Sequence, residues 1–192
     1  MPRKALLVID VDHACGWKPK DIQDNSLKQL VAENIKTELA NWRASNGLIV
    51  FVIYGNDTTG QEAQVNEING CVVCDRNDSA RLAEFLEHRH KNTTEPAFVK
   101  KSYDAFTNKS LAQYLKKQGV TEVVLAGCQT FHCVQATALG AVNAGFNVTL
   151  LRDLVFLPFD KQYDTEERWL DYIKGAIKMN PNSELSVKIG GA

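Results

Sequence analysis

Apolar residues along the chain gather in short unbroken blocks, separated by longer stretches in which they recur every three or four positions. Ala5-Leu6-Leu7-Val8-Ile9 is apolar throughout and stops at Asp10, the pattern of a strand covered on both faces. Residues 48–54 repeat that pattern, and 96–100, 121–126 and 147–151 are further short blocks bounded by polar or turn residues. Between the blocks, residues 26–45 carry Leu27, Leu30, Val31, Ile35, Leu39 and Trp42 at helical spacing with Gly47 beyond the end. This predicts a helix with those residues on its inner face. Leu82, Phe85 and Leu86 predict a helix over 79–87, and Leu111 opens another over 111–117 that Gly119 stops. Val134, Ala138, Ala141, Val142 and Gly145 form the small, apolar stripe of a further helix. Residues 165–179 predict a last helix ended by Asn180-Pro181, residues 184–189 a last strand, and the polar, Gly- and Asn-rich stretch 55–77 a surface excursion.

Strand and helix therefore alternate from one end to the other. Alternation with strands apolar on both faces predicts an α/β fold, a parallel sheet sandwiched by helices, whose ligands bind beyond the carboxyl ends of the strands. A chain of 192 residues suits one domain over 1–192, burying about 70% of the surface its unfolded form exposes without help from a cofactor or disulfide.

Charge and cysteine content narrow the function. With 22 basic against 23 acidic residues and a net charge of −1, the chain has no basic block for a polyanion, so a nucleic-acid partner is not expected. Its longest apolar runs fall short of the roughly 20 residues needed to cross a bilayer, so no membrane association is expected. Cys15, Cys71, Cys74, Cys128 and Cys133 are an odd number with no leader-like segment before them, which points to a reducing cytoplasm.

The strand at 121–126 breaks at Gly127 and delivers Cys133 where the next helix begins. A thiol there faces unpaired backbone N–H groups and the positive end of the helix dipole, which favour thiolate; the same residue, taken alone, also fits a buried structural thiol. Asp10 follows the first strand and Lys100 the third, so three reactive side chains fall just past strand ends. If they meet, Asp10 can accept the thiol proton and return it to a leaving amine, while the Lys100 ammonium favours both anions.

Three segments in order resemble the isochorismatase-like cysteine hydrolases. Ala5-Leu6-Leu7-Val8-Ile9-Asp10 is similar to the family's opening strand and aspartate, Lys100-Lys101-Ser102-Tyr103-Asp104-Ala105-Phe106 to its lysine motif, and Gly127-Cys128-Gln129-Thr130-Phe131-His132-Cys133-Val134 to its nucleophile motif. The resemblance implies a three-layer α/β/α sandwich with a six-stranded, mainly parallel, Rossmann-like sheet. It implies a Cys133-Asp10-Lys100 triad and a thioester intermediate in the cleavage of a small amide, ureide or N-carbamoyl C–N bond. It also implies a cis peptide at Cys128-Gln129, with the N–H groups of Gln129 and Cys133 as an oxyanion hole, and a homo-oligomer, dimer or tetramer. Lys100 rather than Lys101 takes the lysine role because of its offset to Phe106.

The chain departs from the family at Val11-Asp12-His13-Ala14, where glutamine commonly stands two residues after the aspartate. Asn56-Asp57-Thr58-Thr59 lacks the histidines of the nicotinamidase metal site, so no metal is expected. Members that cleave the isochorismate vinyl ether lack the cysteine, so its presence points to C–N substrates. Asp12, His13, Trp17, Tyr103, Phe106, Phe131 and His132 are candidates for binding substrate, with core packing the alternative for each aromatic. Cys128 reads as a packed side chain rather than a resolving thiol, and Cys71-Val72-Val73-Cys74 as a weak metal pair without a second. A phosphatase loop is excluded because position 139 is Leu139 where the arginine that grips phosphate is required. A non-catalytic binding or scaffold protein of the same fold remains the alternative function.

Overall fold

The computed structural model describes residues 3–55, 66–68, 71–73, 82–87, 95–156 and 185–188, the three shortest segments by their backbone alone. Strand β1 runs over Arg3–Ile9, β2 over Leu48–Tyr54, β3 over Asn66–Ile68, β4 over Cys71–Val73, β5 over Ala97–Lys100, β6 over Val120–Cys128, β7 over Asn147–Phe156 and β8 over Leu185–Lys188. The helices are α1, Pro19–Gln23, α2, Ser26–Ala44, α3, Lys109–Lys117, and α4, Gln135–Asn143. Six strands make one sheet in the order β5-β2-β1-β6-β7-β8, and every neighbouring pair is parallel.

Alternation along the central strands builds two cores, one on each face. Ala5, Leu7 and Ile9 of β1, Val50 and Val52 of β2, and Val123 and Leu125 of β6 pack with Leu111 and Leu115 of α3 and Ala138 and Ala141 of α4. Their neighbours Leu6, Val8, Ile49, Phe51, Val124 and Ala126 pack on the other face with Val31, Ile35 and Leu39 of α2. The fold is thus the expected three-layer α/β/α sandwich. Side chains of a strand point alternately to its two faces, so an all-apolar strand is consistent only with a layer on each side. Asn25 caps α2 by accepting from the Lys28 N–H at 3.0 Å, and Asn108 caps α3 by accepting from the Ser110 N–H at 3.0 Å.

Four local expectations are corrected. Leu27 and Leu30 are exposed, 46% and 59%, because the buried stripe of α2 begins only at Val31. In place of a helix over 79–87 the described residues form a bridge from Leu82 to Asp12 and a single 3-10 turn, Glu84–Leu86. The excursion at 55–77 includes the antiparallel hairpin β3–β4. The fifth predicted strand, expected to end at residue 151, continues as β7 to Phe156 through the exposed Arg152 and Asp153. The predicted helix over 165–179, Cys74 and the Asn56-Asp57-Thr58-Thr59 segment lie outside the described residues.

Candidate active site

Asp10, Lys100 and Cys133 converge at the carboxyl end of the sheet. Asp10 follows β1 with φ +52, a left-handed backbone uncommon for a residue with a side chain, and its N–H donates to the Val52 carbonyl at 2.8 Å. Strain of that kind persists where surrounding structure holds it and is frequent at functional sites. One strand over, Gly127 has φ +114, and a Cβ there would overlap the Ile9 carbonyl oxygen. Only glycine lets β6 approach β1 at the point where both deliver their reactive ends.

Beyond Gly127 the Cys128–Gln129 peptide is cis. The chain then makes one π-helical turn, Thr130–Val134, before α4. The Gln129 carbonyl accepts from the N–H groups of His132 at 3.1 Å and Val134 at 3.2 Å, and Thr130 Oγ1 donates to the Phe156 carbonyl at 3.1 Å. These bonds fix the turn that carries Cys133.

Lys100 ends β5, in register with Tyr54 of β2. Its Nζ lies 2.8 Å from Asp10 Oδ2 as an ion pair, with both side chains buried. It donates to Cys133 Sγ at 3.1 Å and to the Ser102 carbonyl at 3.1 Å. Neither Asp10 oxygen receives an aligned hydrogen bond among the described residues, which leaves a buried carboxylate with open acceptor capacity beside a thiol. The loop after Lys100 is hung on α4: the Ala105 N–H donates to Thr137 Oγ1 at 3.1 Å, and the Asp104 carboxylate sits where a side chain on Gly140 would be.

Electrostatics split the roles. Burial raises the Asp10 carboxyl above its ordinary range, with Lys100 acting against the rise. Burial also works against the Lys100 charge, but Asp10 and Cys133 outweigh it and hold the ammonium firmly protonated. For Cys133, burial and then the neighbouring Asp10 charge push the thiol up to about 12, with Lys100 pulling the other way. The dipole argument for a resting thiolate is therefore outweighed by desolvation. What the site holds is a protonated thiol beside a buried carboxylate, with one fixed cation in contact with both.

Of the residues singled out as lining the site, Tyr103 and His132, the residue before Cys133, form an edge-on pair, 5.7 Å apart, and both are exposed. Phe106 stacks at 5.5 Å on Phe146, and Phe131 packs partly buried against the same core. The others lie in the segment after Asp10. Asp12 is buried and accepts from the Cys15 N–H at 2.8 Å as the cap of a short turn, and His13 Nε2 lies 3.1 Å from Glu84 Oε1. Trp17 is fully buried in the α2-side core and donates from Nε1 to Cys128 Sγ at 3.1 Å. Cys128 Sγ in turn donates to the Asp10 carbonyl at 3.1 Å. Sequence reasoning missed Tyr54, whose ring stands 4.7 Å from Lys100 Nζ; its place as the last residue of the second apolar block was the available signal. Among the described residues no three His, Cys, Asp or Glu side chains cluster as metal ligands, and no helix there is long and apolar enough to cross a membrane.

Residues 4–166 match the isochorismatase domain model. The chain belongs to the isochorismatase family. The maleamate amidohydrolase of Pseudomonas putida is 38% identical over 84 residues, which are 44% of this chain and only 39% of that enzyme. A relative from Arabidopsis thaliana, named "Probable inactive nicotinamidase", is 28% identical over 163 residues, covering 78% of each chain. Among solved structures, the N-carbamoylsarcosine amidase of Thermoplasma acidophilum superposes with a TM-score of 0.65 at 18% identity over 98% of this chain and 99% of that one, a likeness of fold. Within the isochorismatase domain, the convergence of Asp10, Lys100 and Cys133 links the segments from which the family resemblance arose.

Proposed function

We propose that this isochorismatase-family protein is a cysteine hydrolase that cleaves the C–N bond of a small amide, ureide or N-carbamoyl compound. The observation that carries the reading is the contact of one buried ammonium with both a carboxylate and a thiol, at 2.8 and 3.1 Å. The maleamate amidohydrolase name among the relatives agrees with amide chemistry, while the name of the Arabidopsis relative, a probable inactive nicotinamidase, agrees with the non-catalytic alternative.

In this reading the Cys133 thiol is protonated at rest, and its proton moves to Asp10 as sulfur attacks the substrate carbonyl carbon. The new C–S bond forms while the carbonyl π electrons move to oxygen, and the N–H groups of Gln129 and Cys133 receive that oxyanion. Each aimed donor is worth on the order of 3 kcal/mol. Collapse breaks the C–N bond, Asp10 gives its proton to the departing nitrogen, and a thioester remains on Cys133. Water then gives a proton to Asp10 and attacks the thioester carbon. The second collapse expels the Cys133 sulfur, which takes the proton back from Asp10. Lys100 stays charged throughout and offsets the negative charge as it moves between sulfur and carboxylate.

The test is ammonia release from a panel of primary amides, N-carbamoyl compounds and ureides by the wild type and by Cys133→Ala. Release that the substitution abolishes supports the reading. Silence across the panel, with no acyl adduct on Cys133 by mass spectrometry, overturns it in favour of a non-catalytic member of the fold.

A further inference from the structure

We infer that Tyr54 is a positioning residue for this chemistry, acting through Lys100 and not on the substrate. The inference rests on the reading of Cys133 as nucleophile. The Lys100 ammonium donates to Cys133 Sγ at 3.1 Å and to the Ser102 carbonyl at 3.1 Å, and Asp10 Oδ2 is its ion-pair partner at 2.8 Å. The Tyr54 ring stands 4.7 Å from Nζ. Its negative π face attracts the cation there, and a desolvated cation gains more from such a face than an exposed one does.

The placement is built into the sheet. Tyr54 and Lys100 are paired in register at the ends of two parallel strands, β2 and β5. Immediately after Tyr54, Gly55 donates its N–H to the Lys100 carbonyl at 2.9 Å, and a side chain on Gly55 would overlap Val99. The strand ends are therefore held close, and the ring is carried to the lysine by backbone pairing. The Lys100 side chain itself is wholly buried. A ring at this position keeps water from the ammonium and holds its charge toward sulfur, so the thiolate that forms on proton transfer to Asp10 is stabilised at its full strength.

The experiment reads the second-order rate of Cys133 alkylation by iodoacetamide across pH, peptide by peptide, with the free Cys15 as internal reference. Tyr54→Leu is expected to slow Cys133 near pH 8 by about tenfold and to move its titration upward by about one pH unit, while Tyr54→Phe stays within about twofold of wild type. A series of increasingly fluorinated phenylalanines at position 54 keeps the shape while weakening the π face. It should lower the rate step by step, and it remains informative if the leucine variant does not fold. A flat fluorine series, or a phenylalanine variant as slow as the leucine one, overturns the role of Tyr54. If Cys133 of the wild type reacts no faster than Cys15 and ignores Lys100→Ala, the nucleophile reading falls and this inference with it. A Cys133 that responds to Lys100→Ala while the ring series stays silent overturns the role of Tyr54 alone.

Discussion

Cys128 and Cys133 are five positions apart and both buried, yet they belong to opposite cores of the sheet. Cys128 points to the α2 side, where its sulfur accepts from Trp17 Nε1 and its S–H donates to the Asp10 carbonyl, both at 3.1 Å. Cys133 lies on the α4 side, 3.1 Å from a cation and with Asp10 disfavouring its anion. Burial is common to the two and so cannot be what makes a nucleophile. The partners differ: Cys128 bonds to two neutral groups, the Trp17 indole and a backbone carbonyl, whereas Cys133 lies against the charged pair of Lys100 and Asp10.

The largest effect should separate the two thiols outright. Cys133→Ala should lower ammonia release by at least about 10⁴-fold, the scale of losing a nucleophile. Cys128→Ala should cost less than about a hundredfold, the scale of a slightly displaced turn. Equal losses in the two would break the comparison.

Asp10→Asn should sharpen it by splitting two readouts. Turnover should drop by about 10² to 10⁴-fold, because the proton acceptor is gone. Alkylation of Cys133 at neutral pH should speed up, because the charge that pushes its thiol up is gone while Lys100 remains beside it. Lys100→Ala should slow both. If Asp10→Asn slows alkylation too, Asp10 is not what holds the thiol protonated.

Stability should rank the cysteines the other way. Removing Cys128 takes away a buried acceptor from Trp17 and a donor from the Asp10 carbonyl, so Cys128→Ala should lose about 1–3 kcal/mol in urea melts, with Trp17→Phe about 1 kcal/mol. Cys133→Ala should lose less than Cys128→Ala, since the bond lost with the thiol comes from Lys100, which keeps the Ser102 carbonyl and Asp10 as partners.

The smallest effect is in alkali. The folded Cys133 thiol, at about 12, lies above the ordinary 9.0. The folded state therefore holds the proton more tightly than the unfolded one. The stabilisation is whole below pH 9 and is lost as pH rises toward 12. Thermal melts from pH 8 to 11 should fall more steeply for the wild type than for Cys133→Ala, and parallel curves would contradict the raised thiol.

Much of this was legible in the sequence because the central strands are apolar on both faces. Ala5 to Ile9 and Leu48 to Tyr54 leave no alternative to a covered parallel sheet, and the three strand-end residues follow from where those blocks stop. The rest depends on tertiary choices that a periodic pattern does not encode. Leu27 and Leu30 fit the α2 stripe by spacing but precede its buried part, and Arg152-Asp153 reads as a strand end although β7 passes through it. At the site, Trp17 reads as a pocket aromatic until its N–H is seen bonded to Cys128. Tyr54 reads as the end of a strand until the register places it across from Lys100.

The strand order β5-β2-β1-β6 also acts as a ruler. Neighbouring strands lie about 4.8 Å apart, so the backbone of Lys100, two strands from β1, is roughly 10 Å from the line that carries Asp10. A short aspartate spans only part of that gap, and a long, unbranched side chain must cover what is left. Lysine is thus chosen for length as much as for charge, measuring the width of the one strand between. The adjoining Lys101 makes the measurement depend on phase. Slipping β5 by a single residue would turn Lys100 to the far face of the sheet and leave its neighbour to stand in, so the pairing of Tyr54 with Lys100 decides which of two identical side chains reaches the thiol.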